Sequence, residues 1–369
     1  MSESFEYIFH GTKIKATALQ RFILHWIKVN QKVETEGQRK TPLCIWGRHG
    51  IGKTEIIESL AKEQGMAFAY IAPAQFEEMG DLIGMPMIEQ GQTVFQAPKW
   101  VPTEEGPGIL LIDDINRADD RILRGLMQLL QYHELTSWKL PHNWQIICTA
   151  NPDGGDYSVT TLDNAMLTRM MHVSLEFDVK EWAKWAEKHF IDPRGINFVL
   201  TYPEIITGEK TTARTLVQFF NAIADIEDLS ANLELVQILG DACLEKATVS
   251  AFLAFVNQNL EHLIRPEEII DSADFNQNVL PRLDEMVNRQ TLRVDILSTI
   301  CTRLVNFLTN RKEKLSLKQV ENLKSFLKIP FMVNDLRYSL IKDLISLSDP
   351  NLKSLIADPE IGQLYMNKI

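Results

Sequence analysis

The period of the hydrophobic positions changes twice along the chain. Between residues 13 and 35, apolar side chains recur every three or four positions, which predicts an amphipathic helix. From Pro42 to about residue 178, short apolar runs alternate with helical patterns, as expected of a parallel sheet with crossover helices. After residue 178 the strand patterns fade, and the rest of the chain is predicted to be almost entirely helical. The pattern therefore predicts an α/β fold followed by helical regions.

Within the α/β region, the pattern predicts five strands and three helices. The strands are Leu43–Trp46, Ala67–Ile71, Ile109–Ile112, Gln145–Thr149 and His172–Leu175, and the helices are Lys53–Glu63, Asp120–Gln131 and Asp163–Met170. Two stretches interrupt the alternation. Residues 84–100, with Gly91 between β-prone segments, are predicted to form an inserted hairpin, and residues 133–145 a second hairpin that turns near Pro141–Asn143.

Composition and charge narrow the functional classes. Hydrophobic residues make up 45% and charged residues 24% of the chain, the balance of an ordinary globular protein. The net charge of −11 repels phosphate backbones, which disfavours a nucleic-acid partner. The four cysteines form no C-x-x-C pair, and Cys44 and Cys148 are expected to be reduced core residues. The sequence contains no signal-peptide pattern and no apolar run of about 18 residues, so we expect a cytoplasmic protein without membrane insertion.

The strongest motif lies between the first predicted strand and the helix that follows it. Its residues satisfy the pattern G-x-x-x-x-G-K-[ST] and are Gly47, Arg48, His49, Gly50, Ile51, Gly52, Lys53 and Thr54. Glycines let the backbone fold around phosphates so that N–H groups point inward, and the helix contributes its positive end. Lys53 can neutralise phosphate charge, and the Thr54 hydroxyl can ligate Mg²⁺. The motif therefore predicts a binding site for a nucleoside triphosphate with Mg²⁺.

A pair of acidic residues follows the strand predicted at Ile109–Ile112. An apolar run that ends in Asp113 and Asp114 is costly to place unless both acids leave the strand into a polar site. Asp113 is therefore assigned to the Mg²⁺ shell, directly or through water, and Asp114 is placed to orient or deprotonate the attacking water. Taken alone, the pattern is often only a strand end. After a P-loop it is far more specific.

Three further polar residues are candidates for the same site. Asn151 follows the strand predicted at Gln145–Thr149 and can contact the γ-phosphate or the attacking water, although Asn before Pro is also a common turn former. Arg169 lies at the end of a predicted helix, and Arg214 begins a helix in the following helical region. A guanidinium can stabilise the charge of a transferring phosphoryl group, in cis or from a neighbouring chain. Either arginine could instead form a salt bridge at a helix end.

In this order the motifs resemble those of the AAA+ ATPases, and within them the MoxR and dynein-related group. The most similar segments are Leu111–Ala118, Asp81–Gly84 before the predicted hairpin, and Ala150–Pro152. The resemblance covers about residues 12–260, and the remaining residues match no family pattern. It implies an AAA+ P-loop NTPase with a five-stranded parallel sheet flanked by helices, then an α-helical lid and an additional helical C-terminal domain.

The resemblance also implies roles for the candidate residues. It makes Gly47–Thr54 Walker A, Asp113 and Asp114 Walker B, Asn151 sensor 1, Arg169 the arginine finger on the neighbouring subunit and Arg214 sensor 2. It further implies ATP and Mg²⁺ as cofactors, a hexameric ring of identical chains, and a protein client or a von Willebrand factor A-domain partner. The sequence departs from the family at Asp114, where Glu is usual, and at His49, where Pro is usual.

Together these observations predict four regions. They are an N-terminal helix and loop over 1–40, the nucleotide-binding α/β core over 41–178, a helical lid over 179–260 and a helical C-terminal extension over 261–369. The two inserted hairpins belong to the core. They are candidates for contact with a client, although hairpins are also common loop excursions.

Three functions are compatible with the sequence. The leading one is a MoxR-like ATPase that oligomerises and remodels or assembles a protein partner, because a trans-acting Arg169 has a purpose only if a neighbour's phosphates face it. The second is a motor directed at nucleic acid, against which the net charge of −11 counts. The third is an ATP-gated assembly module with slow hydrolysis, which the short side chain of Asp114 motivates.

Overall fold

The protein consists of two compact units, Met1–Asp178 and Val179–Ile369. The computed structural model describes residues 8–152, 159–206, 209–258, 263–287, 292–311, 313–347 and 349–366. Within these ranges, none of the helices is both long enough and apolar enough to cross a membrane. The two units are described separately below. The division of the second unit into a lid and an extension stays a prediction.

The first unit is built around a parallel sheet of six strands. In chain order its strands are β1 Thr12–Ile14, β2 Leu43–Trp46, β3 Ala67–Ile71, β6 Gly108–Ile112, β7 Trp144–Ala150 and β8 Met171–Leu175. Their order across the sheet is β1-β8-β2-β7-β6-β3, and every neighbouring pair is parallel. The sheet therefore places the carboxyl ends of β2, β6 and β7 side by side at one edge.

The prediction of five strands is wrong by one. The additional strand, β1, pairs with β8 through Lys13 and Ser174 and is only three residues long. Three residues are too few to show an alternating pattern, and the helical pattern that follows includes them. The N-terminal helix α1 correspondingly spans Ala16–Thr35 and begins three residues later than predicted.

Two hydrophobic cores cover the two faces of the sheet. The residues of β2 alternate between them: Cys44 and Trp46 join the core of one face, and Leu43 and Ile45 join the other. The remaining helices of this unit are α2 Lys53–Glu63, α3 Met79–Ile83, α4 Asp120–Tyr132 and α5 Asn164–Leu167. The first core includes residues of α4 and α5, and the second includes residues of α1 and α2. Strands that are buried on both faces are typical of a parallel sheet.

The helix α5 is shorter than the predicted Asp163–Met170. Asp163 is its N-cap and accepts a hydrogen bond from the Met166 N–H, and Thr168 is already the C-cap. Because β8 begins at Met171, the chain must leave the helix within these few residues. Arg169 consequently lies in the turn between α5 and β8.

An antiparallel hairpin occupies the segment predicted at residues 84–100. Its strands are β4 Met85–Glu89 and β5 Gln92–Gln96, and they pair over their full length. The turn consists of Gln90 and Gly91, which both have positive φ, the conformation that a two-residue hairpin turn requires.

The second predicted hairpin turns earlier than expected. Glu134 and Lys139 form an antiparallel bridge, and the Leu135 N–H donates to the Trp138 carbonyl at 2.8 Å, so the chain reverses before the predicted turn at Pro141–Asn143. A turn also lies at Pro141–Trp144, where the Trp144 N–H donates to the Pro141 carbonyl at 3.4 Å, but it leads directly into β7. Leu135, Trp138 and Leu140 are buried in this segment, so core packing adds to the backbone pairing that positions it.

The second unit is helical in its described residues. Its helices are α6 Val179–Lys188, α7 Pro193–Thr201, α8 Ala213–Ile223, α9 Leu233–Cys243, α10 Lys246–Asn257, α11 Pro266–Ile270, α12 Phe275–Asn278, α13 Leu280–Val287, α14 Val294–Asn310, α15 Leu317–Leu327, α16 Asn334–Ser346 and α17 Pro359–Met366. Buried polar side chains join several of them. Arg303 on α14, for example, contacts Glu187 on α6 at 3.4 Å and Asn197 on α7 at 2.9 Å.

Candidate functional site

The loop between β2 and α2 has the geometry of an anion-binding cradle. It begins where the Gly47 N–H donates to the Ala150 carbonyl at 3.1 Å, which ties the start of the loop to the end of β7. Gly50 and Gly52 adopt φ values of 69° and 93°, which glycine tolerates and other residues rarely adopt. The helix α2 then begins at Lys53, so its first N–H groups, which lack partners within the helix, lie at the loop.

The side chain of Lys53 lies against the inner side of the loop and hydrogen-bonds to its backbone. The side chain is buried, and Nζ donates to the carbonyls of Gly47 at 2.7 Å and Arg48 at 3.1 Å and to Asn151 Oδ1 at 3.1 Å. The ammonium group therefore joins the loop after β2 to the residue that follows β7. Arg48, His49 and the other residues of the predicted motif belong to the same loop and to the start of α2.

Asp113 receives three hydroxyl groups. Its Oδ1 accepts hydrogen bonds from Thr54 Oγ1 at 2.9 Å and from Thr149 Oγ1 at 2.5 Å, and its Oδ2 accepts one from Tyr70 at 3.2 Å. Thr149 and Tyr70 carry no motif in the sequence, and their only signal is their position one residue before the ends of β7 and β3.

The pair Thr54 and Asp113 fits Mg²⁺. Two hard oxygen atoms, a hydroxyl and a carboxylate, lie 2.9 Å apart, and Mg²⁺ is typically held by one or two such groups together with phosphate oxygens and water. Within the described residues, no group of three or more His, Cys, Asp and Glu side chains could hold a metal ion.

Asp114 adopts an uncommon backbone conformation. Its φ of 48° and ψ of 49° lie in the left-handed region, where few residues other than glycine are found. Its N–H donates to Thr149 Oγ1 at 2.8 Å, so one hydroxyl contacts both acidic residues. Its carboxylate accepts a hydrogen bond from Asn151 Nδ2 at 2.9 Å and lies 3.4 Å from Arg117 Nε. These contacts fix the carboxylate at the carboxyl edge of the sheet.

Asn151 connects the two halves of the site. Its side-chain oxygen accepts from Lys53, and its side-chain nitrogen donates to Asp114. Its backbone is held in turn by Asn116, which accepts from the Asn151 N–H at 3.1 Å and donates to its carbonyl at 2.8 Å. Asn116 is fully buried and was given no role from the sequence, although it belongs to the segment Leu111–Ala118.

The described hydrogen bonds of Arg169 lie outside this network, and Arg214 belongs to the other unit. Arg169 Nε donates to Gln131 Oε1 at 3.1 Å, and its Nη1 donates to the Ala165 carbonyl, so its described hydrogen bonds go to neighbouring helices and not to Lys53, Asp113 or Asp114. Arg214 belongs to the helical unit, where it is the second residue of α8 and is exposed. The site thus unites Lys53, Thr54, Asp113, Asp114 and Asn151. The roles of both arginines stay predictions.

A protein-family model matches this part of the chain. Residues 42–170 match the AAA domain of the dynein-related subfamily. The matched segment contains the P-loop, Asp113, Asp114, Asn151 and Arg169. The match covers about a third of the chain and classifies that part as an AAA domain. Together with the sheet and its flanking helices, it identifies the fold as an AAA+ P-loop fold followed by a helical region.

Solved structures show only a distant likeness. RuvB from Thermotoga maritima, a Holliday junction branch migration motor, shares 15% identity at a TM-score of 0.36, and the alignment covers 83% of this chain and 94% of that one. A mutant of the same protein shares 14% identity at a TM-score of 0.36, with 83% and 95% covered. No curated protein matched the sequence. Likenesses at these values indicate nothing about what this chain acts on.

Proposed function

We propose that the protein is a Mg²⁺-dependent ATPase of the MoxR type that assembles into a ring, hexameric by resemblance, and remodels a protein partner. The observation that supports it best is the chain of contacts from Lys53 through Asn151 to Asp114. These hydrogen bonds join the residue expected to bind the γ-phosphate to the residue expected to activate water. A change in the phosphate bound at Lys53 can therefore alter the position of the Asp114 carboxylate through the side chain of Asn151.

Each residue of the site has a defined task in this proposal. The loop N–H groups and Lys53 bind the phosphates of ATP, and Thr54 and Asp113 hold Mg²⁺, which neutralises charge on the β- and γ-phosphates. Asp114 orients the attacking water and accepts its proton, while Asn151 fixes the position of both. Arg169 of one subunit and Arg214 of the helical unit supply positive charge to the transferring phosphoryl group.

The hairpin β4–β5 supports a protein as the substrate of remodelling. Met85, Met87, Ile88 and Phe95 are exposed by 65%, 46%, 80% and 37%. Methionine side chains are flexible and polarizable and adapt to varied apolar partners. We therefore assign the hairpin to contact with the client, either directly or through a partner with a von Willebrand factor A domain.

The ATPase activity can be tested at Lys53. We expect Lys53→Ala to lower Mg²⁺-dependent ATP turnover by about 100-fold or more, because the positive charge that stabilises the phosphates is lost. Lys62→Ala is the matched control, since it removes the same side chain from an exposed position on the same helix. If turnover is indifferent to Lys53→Ala, the site is wrongly assigned.

An ATP-gated module with slow hydrolysis is the second candidate. It is favoured by Asp114, whose carboxylate is one methylene shorter than the usual Glu and is already bound by Asn151 and Arg117. If the short carboxylate limits the rate, Asp114→Glu raises turnover sharply, and an unchanged rate removes the motivation for this candidate. The proteins that co-purify with Asp114→Asn in the presence of ATP would identify the client in either case.

A further inference from the structure

A histidine joins the strand before the P-loop to the turn that carries Arg169. His172 lies on β8, on the face of the sheet that α5 covers, and Trp46 is the last residue of β2. Trp46 Nε1 donates to His172 Nδ1 at 2.9 Å, and His172 Nε2 lies 2.7 Å from the Leu167 carbonyl. The imidazole therefore spans from the end of β2 to the end of α5.

The two contacts specify one form of the imidazole ring. An indole N–H can only donate a hydrogen bond, so Nδ1 of His172 must accept and carries no proton. Nε2 then carries the proton and donates it to the Leu167 carbonyl. Burial and the nearby His10 lower the pKa of His172, which favours this neutral form. Both ring nitrogens are thus used, and no apolar side chain could replace them.

The Leu167 carbonyl controls the turn that bears Arg169. Leu167 ends a helix of a single turn, so its carbonyl has no partner within the helix. It accepts the Met170 N–H at 3.3 Å, which closes a turn with Arg169 inside it, and the shorter bond from His172. The guanidinium of Arg169 donates hydrogen bonds to the Ala165 carbonyl and to Gln131 Oε1. The backbone from which Arg169 extends is therefore held against the sheet by the bond between His172 and Leu167.

We propose that His172 is a positioning residue, which fixes the turn bearing Arg169 against the P-loop strand so that the guanidinium reaches the nucleotide of the neighbouring subunit. The inference rests on the proposed function, because it assigns Arg169 a role in trans. It adds that the finger is held by an imidazole with one required tautomer. His172 itself touches neither nucleotide nor water.

Mixed assemblies separate positioning from a general structural role. Lys53→Ala removes the nucleotide site but keeps the finger, whereas Arg169→Ala removes the finger but keeps the site. Neither variant should turn over ATP alone, and an equal mixture should recover activity because one chain supplies fingers and the other supplies sites. His172→Phe, which retains a ring without nitrogens, is then introduced into one chain or the other, and thermal unfolding checks that each variant is folded.

The expected result depends on which chain carries the substitution. In the finger-donating Lys53→Ala chain, His172→Phe should lower the turnover of the mixture by about tenfold or more. In the Arg169→Ala chain, which has no finger to position, its effect should be several-fold smaller. Equal losses in the two chains, or no loss in either, would overturn the positioning role. An inactive parent mixture would instead contradict the trans role of Arg169 and remove the basis of the inference.

Two conservative variants identify the contact that matters and replace His172→Phe if that variant does not fold. His172→Gln places an amide N–H near the position of Nε2 and can keep the bond to Leu167, whereas His172→Asn places an acceptor near Nδ1 and can keep the bond to Trp46. In the finger-donating chain, His172→Gln should retain more turnover than His172→Asn. The reverse order would show that the Leu167 contact does not position the turn.

Discussion

The two compact units use buried polar side chains differently. In the α/β unit, four buried polar residues, Lys53, Asn116, Thr149 and Asn151, gather where β2, β6 and β7 end, whereas others such as Lys40 lie elsewhere. These four connect the ends of different strands. In the helical unit, buried polar groups such as Arg303 instead join neighbouring helices. Asn322, for example, donates from α15 to the Ile270 carbonyl at 2.8 Å.

This difference shows that burial of a polar side chain does not by itself indicate a functional site. A parallel sheet collects the ends of distant chain segments at one edge, so polar groups placed there converge on a ligand. Packed helices have no such edge, and a polar contact between them mainly fixes which helices are neighbours. Substitutions of buried polar side chains should therefore lower turnover at this edge of the sheet and leave turnover unchanged between packed helices.

The largest effect on stability is expected at Arg303. Arg303→Met removes the buried cation that contacts Glu187 and Asn197, and we expect the free energy of unfolding to fall by about 3 kcal/mol. Arg282→Met is the matched control, because Arg282 is half-exposed and forms a surface ion pair with Glu268 at 3.2 Å, so its loss should cost less than about 1 kcal/mol. Denaturant unfolding measures both. Equal effects would mean that burial of Arg303 is unimportant.

The next effect is expected on turnover at Thr149. Thr149→Val removes the hydroxyl that contacts both Asp113 and the Asp114 N–H, and we expect ATP turnover to fall by about 10- to 100-fold. The free energy of unfolding should fall by about 1–2 kcal/mol, because a buried N–H loses its acceptor. Thr149→Ser keeps the hydroxyl and should retain most of the turnover. Steady-state kinetics measure both variants, and equal turnover of Thr149→Val and Thr149→Ser would contradict this role.

The same substitution in the helical unit should leave turnover unchanged. Thr201 on α7 and Thr299 on α14 are buried with their hydroxyls 3.3 Å apart, and each also donates to a carbonyl of its own helix. Because the helix carbonyls keep their backbone bonds, Thr201→Val and Thr299→Val should each cost less than about 1 kcal/mol and the double variant little more. A double-mutant cycle measures this coupling. A loss of turnover in any of the three would contradict the comparison.

The last prediction concerns the pH dependence of stability in the helical unit. Burial raises the pKa of Glu187 to about 7 from 4.5, against the opposing influence of Arg303. Between these values the native state holds a proton that the unfolded state has released, so this group makes the free energy of unfolding fall as pH rises from about 4.5 to about 7. Glu187→Gln should remove that slope. Unfolding curves at pH 5 and pH 8 measure the slope. The assignment would be contradicted if the unsubstituted protein and Glu187→Gln lost the same stability between these two pH values.

Much of the α/β unit could be predicted because its signals are local. The strand Leu43–Trp46 and the helix Lys53–Glu63 have the predicted bounds, since a glycine-rich motif separates an apolar run from a helical pattern. β1 was missed because three residues carry no period, and its partner β8 is far away in the sequence. The reversal of the second hairpin was misplaced because it lies between Glu134 and Lys139, where Leu135 and Trp138 fold into the core, which the local pattern does not indicate.

The site could be predicted only as a set of residue types at strand ends. The sequence indicated that Asp113 and Asn151 follow neighbouring strands, but not that Tyr70 and Thr149 donate to the same carboxylate. Such contacts depend on the order of strands in the sheet, which a linear pattern does not contain. Asn116 was missed for a related reason, because its partner is the backbone of Asn151 and not a side chain.

The left-handed backbone of Asp114 bears on which acid this turn can accommodate. Aspartate is found in that conformation several times more often than most side chains, and glycine adopts it without strain. Asp114→Gly should therefore relax the turn while it removes the carboxylate, a trade of activity for stability. Asp114→Glu should lengthen the carboxylate at the expense of the stability of the turn. If Asp114 activates water as proposed, the aspartate is a compromise in which the conformation of the turn limits the length of the acidic side chain.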